Sequence, residues 1–176
     1  WAEAVRAGRT FSTTGPLVEF EADGRMPGGE IRLRGGGGAV EVRVSATSPV
    51  PFHRLEVVYN GKVVASREEA AGTRAMRLAE VVSVKGPGWL AARCASRIGG
   101  ARFGVAAHTS PVYLTAAGEE AFSAPAAAYF LRLIEGTQLY VENLATRADV
   151  ERHERIRQVL RQAHAMLHAR MMRHHH

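Results

Sequence analysis

One cysteine and two aspartates among 176 residues leave little material for metal or redox chemistry. A lone Cys94 can close no intrachain disulfide, and no cysteine-rich zinc site can be built around it. It sits in the apolar stretch Leu90-Ala91-Ala92-Arg93-Cys94, where a thiol reads as a small buried hydrophobe. Asp23 and Asp149 read as a turn residue and a helix-capping residue. His-x-His and His-Glu-x-x-His patterns are missing ahead of the terminal histidines. His164 and His168 stand four apart on one helix face, but no carboxylate accompanies them at ligand spacing. There is no Gly-x-Ser-x-Gly nucleophile turn. The glycines at 35–38 lack the Gly-Lys-Ser/Thr ending of a phosphate loop and read as a loose connection. Aromatic residues are scarce, at 7%, and no aromatic-plus-basic stripe of the RNA-binding kind is visible. No apolar run approaches the ~20 residues that a membrane-spanning helix needs. Catalysis, a cofactor, specific nucleic-acid binding and membrane insertion are therefore not expected of these residues.

What is present is the make-up of a folded domain. Apolar residues reach 46% and charged residues 23%, and 176 residues are enough to bury a core. The net charge is +6. Most of the excess lies after Leu144, where seven arginines face three acids, a pattern read as a solvated basic helix face.

Three zones follow one another. Trp1-Ala2-Glu3-Ala4-Val5-Arg6-Ala7 reads as the end of a helix stopped by Gly8, followed by a β-prone stretch to Thr14 and the Gly15-Pro16 break. Residues 17–118 alternate apolar and charged positions in short runs, as in Leu17-Val18-Glu19-Phe20-Glu21-Ala22, Glu30-Ile31-Arg32-Leu33-Arg34, Val40-Glu41-Val42-Arg43-Val44 and Met76-Arg77-Leu78-Ala79-Glu80-Val81. Asn60-Gly61 between Leu55-Glu56-Val57-Val58-Tyr59 and Lys62-Val63-Val64-Ala65 predicts a type I′ hairpin turn. Seven or eight short strands at this spacing predict an immunoglobulin-like β-sandwich, with Phe20, Tyr59 and Trp89 on core positions. From residue 119 onward the period becomes helical. Pro125 suits a first turn, and Phe130, Leu133, Ile134, Val141 and Leu144 recur at helical spacing. Thr146-Arg147-Ala148-Asp149 has the form of a capping box. The helix behind it carries Val150, Ile156, Val159, Leu160, Ala163 and Leu167 on one expected stripe. The predicted fold class is thus mainly β with C-terminal α, a sandwich followed by an αα-hairpin, and the hairpin's stripes require a further surface to pack on. The terminal His174-His175-His176 read as a purification tag and are set aside.

Three segments, in order and at matching spacing over about residues 1–145, resemble CehA/McbA-type metallohydrolases of the polymerase-and-histidinol-phosphatase (PHP) superfamily. They are Ala7-Gly8-Arg9-Thr10-Phe11-Ser12-Thr13-Thr14-Gly15-Pro16-Leu17, the Asn60-Gly61 hairpin, and Trp89-Leu90-Ala91-Ala92-Arg93 with Ala107-His108-Thr109-Ser110-Pro111-Val112-Tyr113. The resemblance implies that residues 1–16 are the last helix and strand of a PHP catalytic domain lying ahead of them. Residues 17–118 would be its sandwich, and residues 119–176 a helical appendage. It implies a divalent metal held by that catalytic domain, with no ligand among the residues here, and a chain that is inactive alone. Arg9, Thr14 and His108 become candidate domain-junction residues. Thr14 stands where the family often has Asn. The implied partner is the catalytic domain itself, and in its absence a homodimer covering the apolar groups between Trp1 and Phe11. The other class of reading is an independent module that binds carbohydrate or protein, which an exposed aromatic patch on one sheet face would favour. A tag-free sample is expected to retain less than one tightly held divalent ion per chain after dialysis. Elemental analysis checks this, and one ion per chain would contradict it.

Overall fold

The computed structural model describes residues 1–34, 36–96, 104–118, 121–147 and 149–174. Its contacts divide it into two units, Trp1–Ala121 and Phe122–His176.

The first unit is mainly β. After the one-turn helix α1 (Ala2–Arg6), which Gly8 ends at φ 67°, come β1 (Phe11–Thr13), β2 (Leu17–Ala22), β3 (Glu30–Arg32), β4 (Gly38–Tyr59), β5 (Lys62–Val84), β6 (Gly88–Ala95), β7 (Ala106–Thr109) and β8 (Val112–Thr115). They form one open mixed sheet, antiparallel throughout except where β3 runs parallel to β8. The period-2 pattern decides which side chains turn inward. Val18, Phe20 and Ala22 of β2 are buried between exposed or half-exposed neighbours, as are Val40, Val42, Val44 and Ala46 of β4.

Two of the strands are not short. The runs expected as separate strands around Val42 and Leu55 are parts of a single 22-residue strand, and β5 matches it with 23 residues. Their turn is Asn60-Gly61, with φ 47° and 84°, the left-handed pair that a type I′ turn demands. The hairpin does not stay in register along its length. Pairing shifts between Thr47 and Phe52 and again between Phe52 and Arg54. Pro49 and Pro51 fall in that interval and have no N–H to give to a ladder. On the facing strand Gly72 takes φ 77° with Pro51 and His53 against it. Below this irregularity β4 pairs with β2, and above it with β6. One strand therefore serves both halves of the sheet, and inward residues from both halves join one cluster that includes Phe20, Val44, Phe52, Leu55, Leu90 and Leu114.

The path β7–β8 is broken by Ser110-Pro111. Arg93–Ala95 pair with β7 and Gly88–Leu90 with β8. Between them the amide of Ala92 donates to the buried Thr109 hydroxyl at 3.1 Å. A side chain there replaces the ladder bond that the kink removes.

In the second unit, α2 (Ala124–Asn143) starts at the Ser123 cap with Pro125 in its first turn. α3 (Val150–Arg173) is capped by Asp149, whose carboxylate accepts from the Arg152 amide at 2.9 Å. The expected capping box is thereby corrected: Asp149 is itself the N-cap, extended at φ −131° and ψ 106°, rather than the acid three residues inside a helix capped by Thr146. Ala148 lies outside the described residues. Glu135 meets His164 at 3.2 Å, and Glu142 meets Arg157 at 3.6 Å. The expected stripes are also corrected. Ala127 and Val141 are buried and Leu160 and Leu167 half-buried, whereas Phe130, Leu133, Leu144, Val150, Ile156 and Val159 are exposed. Among the described residues no helix is long and apolar enough to cross a membrane.

At Gly61 an added Cβ would meet only open space, so a substitution is penalised by backbone conformation alone. Gly61→Val should lower stability by about 1–2 kcal/mol, because a β-branched residue resists positive φ. Thermal melts of the variant check it, and an unchanged midpoint would contradict the turn's role.

Candidate functional site

The outer face of β6, β7 and β8 gathers the most chemistry. Along β6 the burial alternates, so Leu90, Ala92 and Cys94 point into the core while Trp89, Ala91 and Arg93 turn outward. The expectation that Trp89 is a core residue is corrected here. It is 37% exposed, because the strand's fully apolar inward set is Leu90-Ala92-Cys94 and register puts its neighbours on the opposite side. Cross-strand pairing then sets Tyr113 beside Trp89 and His108 beside Arg93. Ser12 of β1 pairs with His108 on its other side. Trp89, Arg93, His108 and Tyr113, with Phe11 and Pro111, line a shallow cleft of about 540 Å³.

Beneath the rim lies Glu56, a buried carboxylate on β4. Its two oxygens are shared between Arg54 at 3.1 Å and Arg93 at 2.5 Å. The carboxylate fixes the Arg93 guanidinium against the sheet beside His108. Both arginine heads remain about half exposed and face water or a partner.

The loop after β5 positions the aromatic end. The Asn60 side-chain carbonyl accepts from the Trp89 amide at 3.0 Å, and its amide group donates to the Pro87 carbonyl at 3.4 Å. A side chain at Gly88 would drive into that Asn60 amide, 2.1 Å from its oxygen. Tyr59 donates to the Gly86 carbonyl at 2.8 Å. The hairpin tip is thus clamped to the strand that carries Trp89.

Of the three junction candidates, two come together. His108 is exposed, its Nδ1 3.5 Å from the Thr109 carbonyl. Thr14 lines the same rim near Arg54 and Arg93. Its hydroxyl accepts from the Ala106 amide at 2.9 Å and donates to the Ala106 carbonyl at 3.2 Å. That hydroxyl therefore extends the β1–β7 pairing. Arg9 is exposed on a different rim, with Phe11, Met26 and Pro27. The first segment is held to β7–β8 by further bonds: the Ser110 amide donates to the Thr10 carbonyl at 2.8 Å, and the two hydroxyls of Thr10 and Ser110 meet at 2.7 Å.

Glu56, Trp89 and Tyr113 were not singled out as site residues on spacing. The signal available was the i, i+2 step from Trp89 to Ala91 to Arg93, which places all three on one face of a strand. Cys94 is buried in the core, and burial pushes its thiol up from the ordinary cysteine value, which suits an inert structural thiol. Among the described residues no three of His, Cys, Asp and Glu gather where they could share an ion. The described residues do not form a ligand set for the divalent metal that the resemblance implies, and no step through a metal is assigned to them.

Comparison of the chain with family models, with curated proteins and with solved structures finds no match in any of the three.

Glu56→Gln should lower stability by about 1–2 kcal/mol, toward the low end for bonds to charged groups because both arginine heads are half in water. Urea unfolding checks it. A loss no larger than that of an exposed carboxylate such as Glu19→Gln would contradict the anchoring role.

Proposed function

We propose that this chain is a non-catalytic accessory region of a metal-dependent hydrolase of the PHP superfamily. In this reading residues 17–118 are an immunoglobulin-like sandwich, and α2 and α3 are an antiparallel αα-hairpin. The strands buttress a catalytic domain or shape its substrate entrance. One observation carries the reading. Of the side chains on which the resemblance rests, Trp89, Arg93, His108 and Tyr113 share one exposed sheet face, while Leu90, Ala92, Ala107 and Val112 of the same segments fill the core. The Thr10–Ser12 segment, which the resemblance places at the exit of the catalytic domain, runs along the same face. Core identity follows from packing, but an outward Trp, Arg, His and Tyr together call for something to touch. The divalent metal belongs, in this reading, to the catalytic domain.

A second reading has an observation of its own. Trp89 and Tyr113 are cross-strand neighbours, both exposed, with Arg93 and His108 alongside. Such an aromatic platform with polar groups at its edge is what a carbohydrate-binding or peptide-binding sheet face presents. Step and spacing permit both readings, so the test separates them.

In a protein carrying the catalytic domain ahead of Trp1, amide exchange in β6 to β8 should slow relative to this chain alone, and Trp89→Ala should restore the faster rate. Unchanged protection sinks the accessory reading. In a Trp1→Phe background, a saturable change in Trp89 fluorescence with oligosaccharides that Tyr113→Ala abolishes would instead establish the binding module.

A further inference from the structure

The helical unit has an apolar side that α2 and α3 do not use on each other. On α2 the inward positions are Ala127, Leu131, Ile134, Gln138 and Val141, all buried or half-buried. One residue back from inward positions, about 100° round the helix, a second stripe holds Phe130, Leu133 and Tyr140, and the C-cap residue Leu144 continues it. On α3 the inward stripe includes Leu160, His164 and Leu167, and one residue back from it stand Ile156, Val159 and Met166. These seven side chains are 44–74% exposed. The ion pairs Glu135–His164 and Glu142–Arg157 show that rising numbers on α2 meet falling numbers on α3. On helices of opposite direction, one step back rotates the two stripes in opposite senses as seen from one end. Both therefore emerge on the same side of the pair. The other side carries Arg132, Glu135, Glu142, Glu154 and Arg161, with Leu139 as its exposed apolar residue on α2.

We propose that this apolar side docks on its own copy in a second chain, making a two-fold, antiparallel four-helix bundle. The inference rests on the hairpin reading of α2 and α3 and is independent of the accessory role. Three features favour a second copy over another occupant. At ordinary side-chain areas the exposed parts of the seven residues come to roughly 800 Å², and one partner of a stable complex buries about 800 Å². The two helices as wholes are also complementary in charge. α2 has one arginine against two glutamates, net −1, and α3 has six arginines against two glutamates, net +4. A two-fold axis parallel to the helices sets each α2 over the partner's α3 and avoids stacking the two basic helices on each other. Finally, the same axis keeps residues at their own height. Leu133 then faces the level of Met166, Thr137 that of Ala163, Tyr140 that of Val159 and Leu144 that of Ile156. These are apolar layers with a small pair at the middle, where helices can approach closely.

The experiment is sedimentation equilibrium of the full 176-residue chain, a 19.1 kDa monomer, with far-UV circular dichroism on the same samples. The expected result is a dimer at micromolar concentration. Leu133→Glu and Val159→Glu should each raise the dissociation constant at least tenfold with helicity retained at high concentration, while Leu139→Glu on the opposite side leaves it unchanged. Several results would overturn the proposal. One is a monomer at 100 µM. Another is a dimer indifferent to Leu133→Glu and Val159→Glu but lost in Phe11→Glu, which would assign association to the first strand. A third is a monomer whose melting point falls in Leu133→Glu, which would assign the face to residues 1–121 of the same chain. A monomer that binds anionic phospholipid vesicles through this face would assign it to a membrane surface. Loss of helicity in both glutamate variants is read with Leu133→Ala and Val159→Ala, which keep helix propensity and must still weaken the dimer. If the wild-type chain shows little helix, the hairpin reading itself fails, a result distinct from a helical monomer.

Discussion

Backbone pairing between β4 and β5 holds the first unit together. Each strand is more than twenty residues long, and together they reach both halves of the sheet. A straight hairpin of that length would project into water with one apolar face uncovered. A shift of register between Thr47 and Arg54 lets the strand change neighbours instead. Pro49, Pro51 and the positive φ of Gly72 interrupt the ladder at one level, and past it β4 changes neighbour from β2 to β6. The inward residues of β2 can then share a core with those of β6 and β8. The hydrophobic core thus spans a place where regular pairing fails.

The same hairpin sets the candidate site. Its tip is bonded through Asn60 to the start of β6, and its Glu56 holds Arg93 near the other end of that strand. Trp89 and Arg93 are positioned from the same strand, four residues apart. Tyr113 and His108 reach them across the Ser110-Pro111 kink, which is bridged by Thr109. The result is a rigid, shallow and mixed surface with an aromatic end and a cationic end. The groups are outward and braced from below by Glu56 and Asn60.

The helical unit has a different economy. Few of its side chains are buried, its caps at Ser123 and Asp149 are well formed, and its ion pairs are partly exposed and worth little each. On each of α2 and α3 only one stripe is buried or half-buried. A second stripe on each is left over, because the apolar residues cover more of the circumference than one neighbour can use.

The chain's local order was legible without coordinates because it rests on local physics. Alternation marked the strands, Asn60-Gly61 marked a turn that needs positive φ at both positions, and the change of period after residue 119 marked the helices. The mainly β class with C-terminal helices follows from those alone. Other features were hidden because they depend on residues far apart in number. That Val42 and Leu55 share a strand was hidden by Pro49 and Pro51 between them, and rests on pairing with β5 on both sides of that interval. That Trp89 faces outward was marked in sequence only by its i, i+2 step through Ala91 to Arg93, while its neighbour Tyr113 was set by register. Glu56 gave no sign of being an anchor, because a glutamate in an alternating run reads as a solvated residue until two arginines are brought over it. On α2 and α3 the sequence determined which residues are apolar, at helical spacing. Which of them meet the other helix and which are left facing away was decided only by the crossing of the two helices, because one helix can cover only about a third of another's circumference.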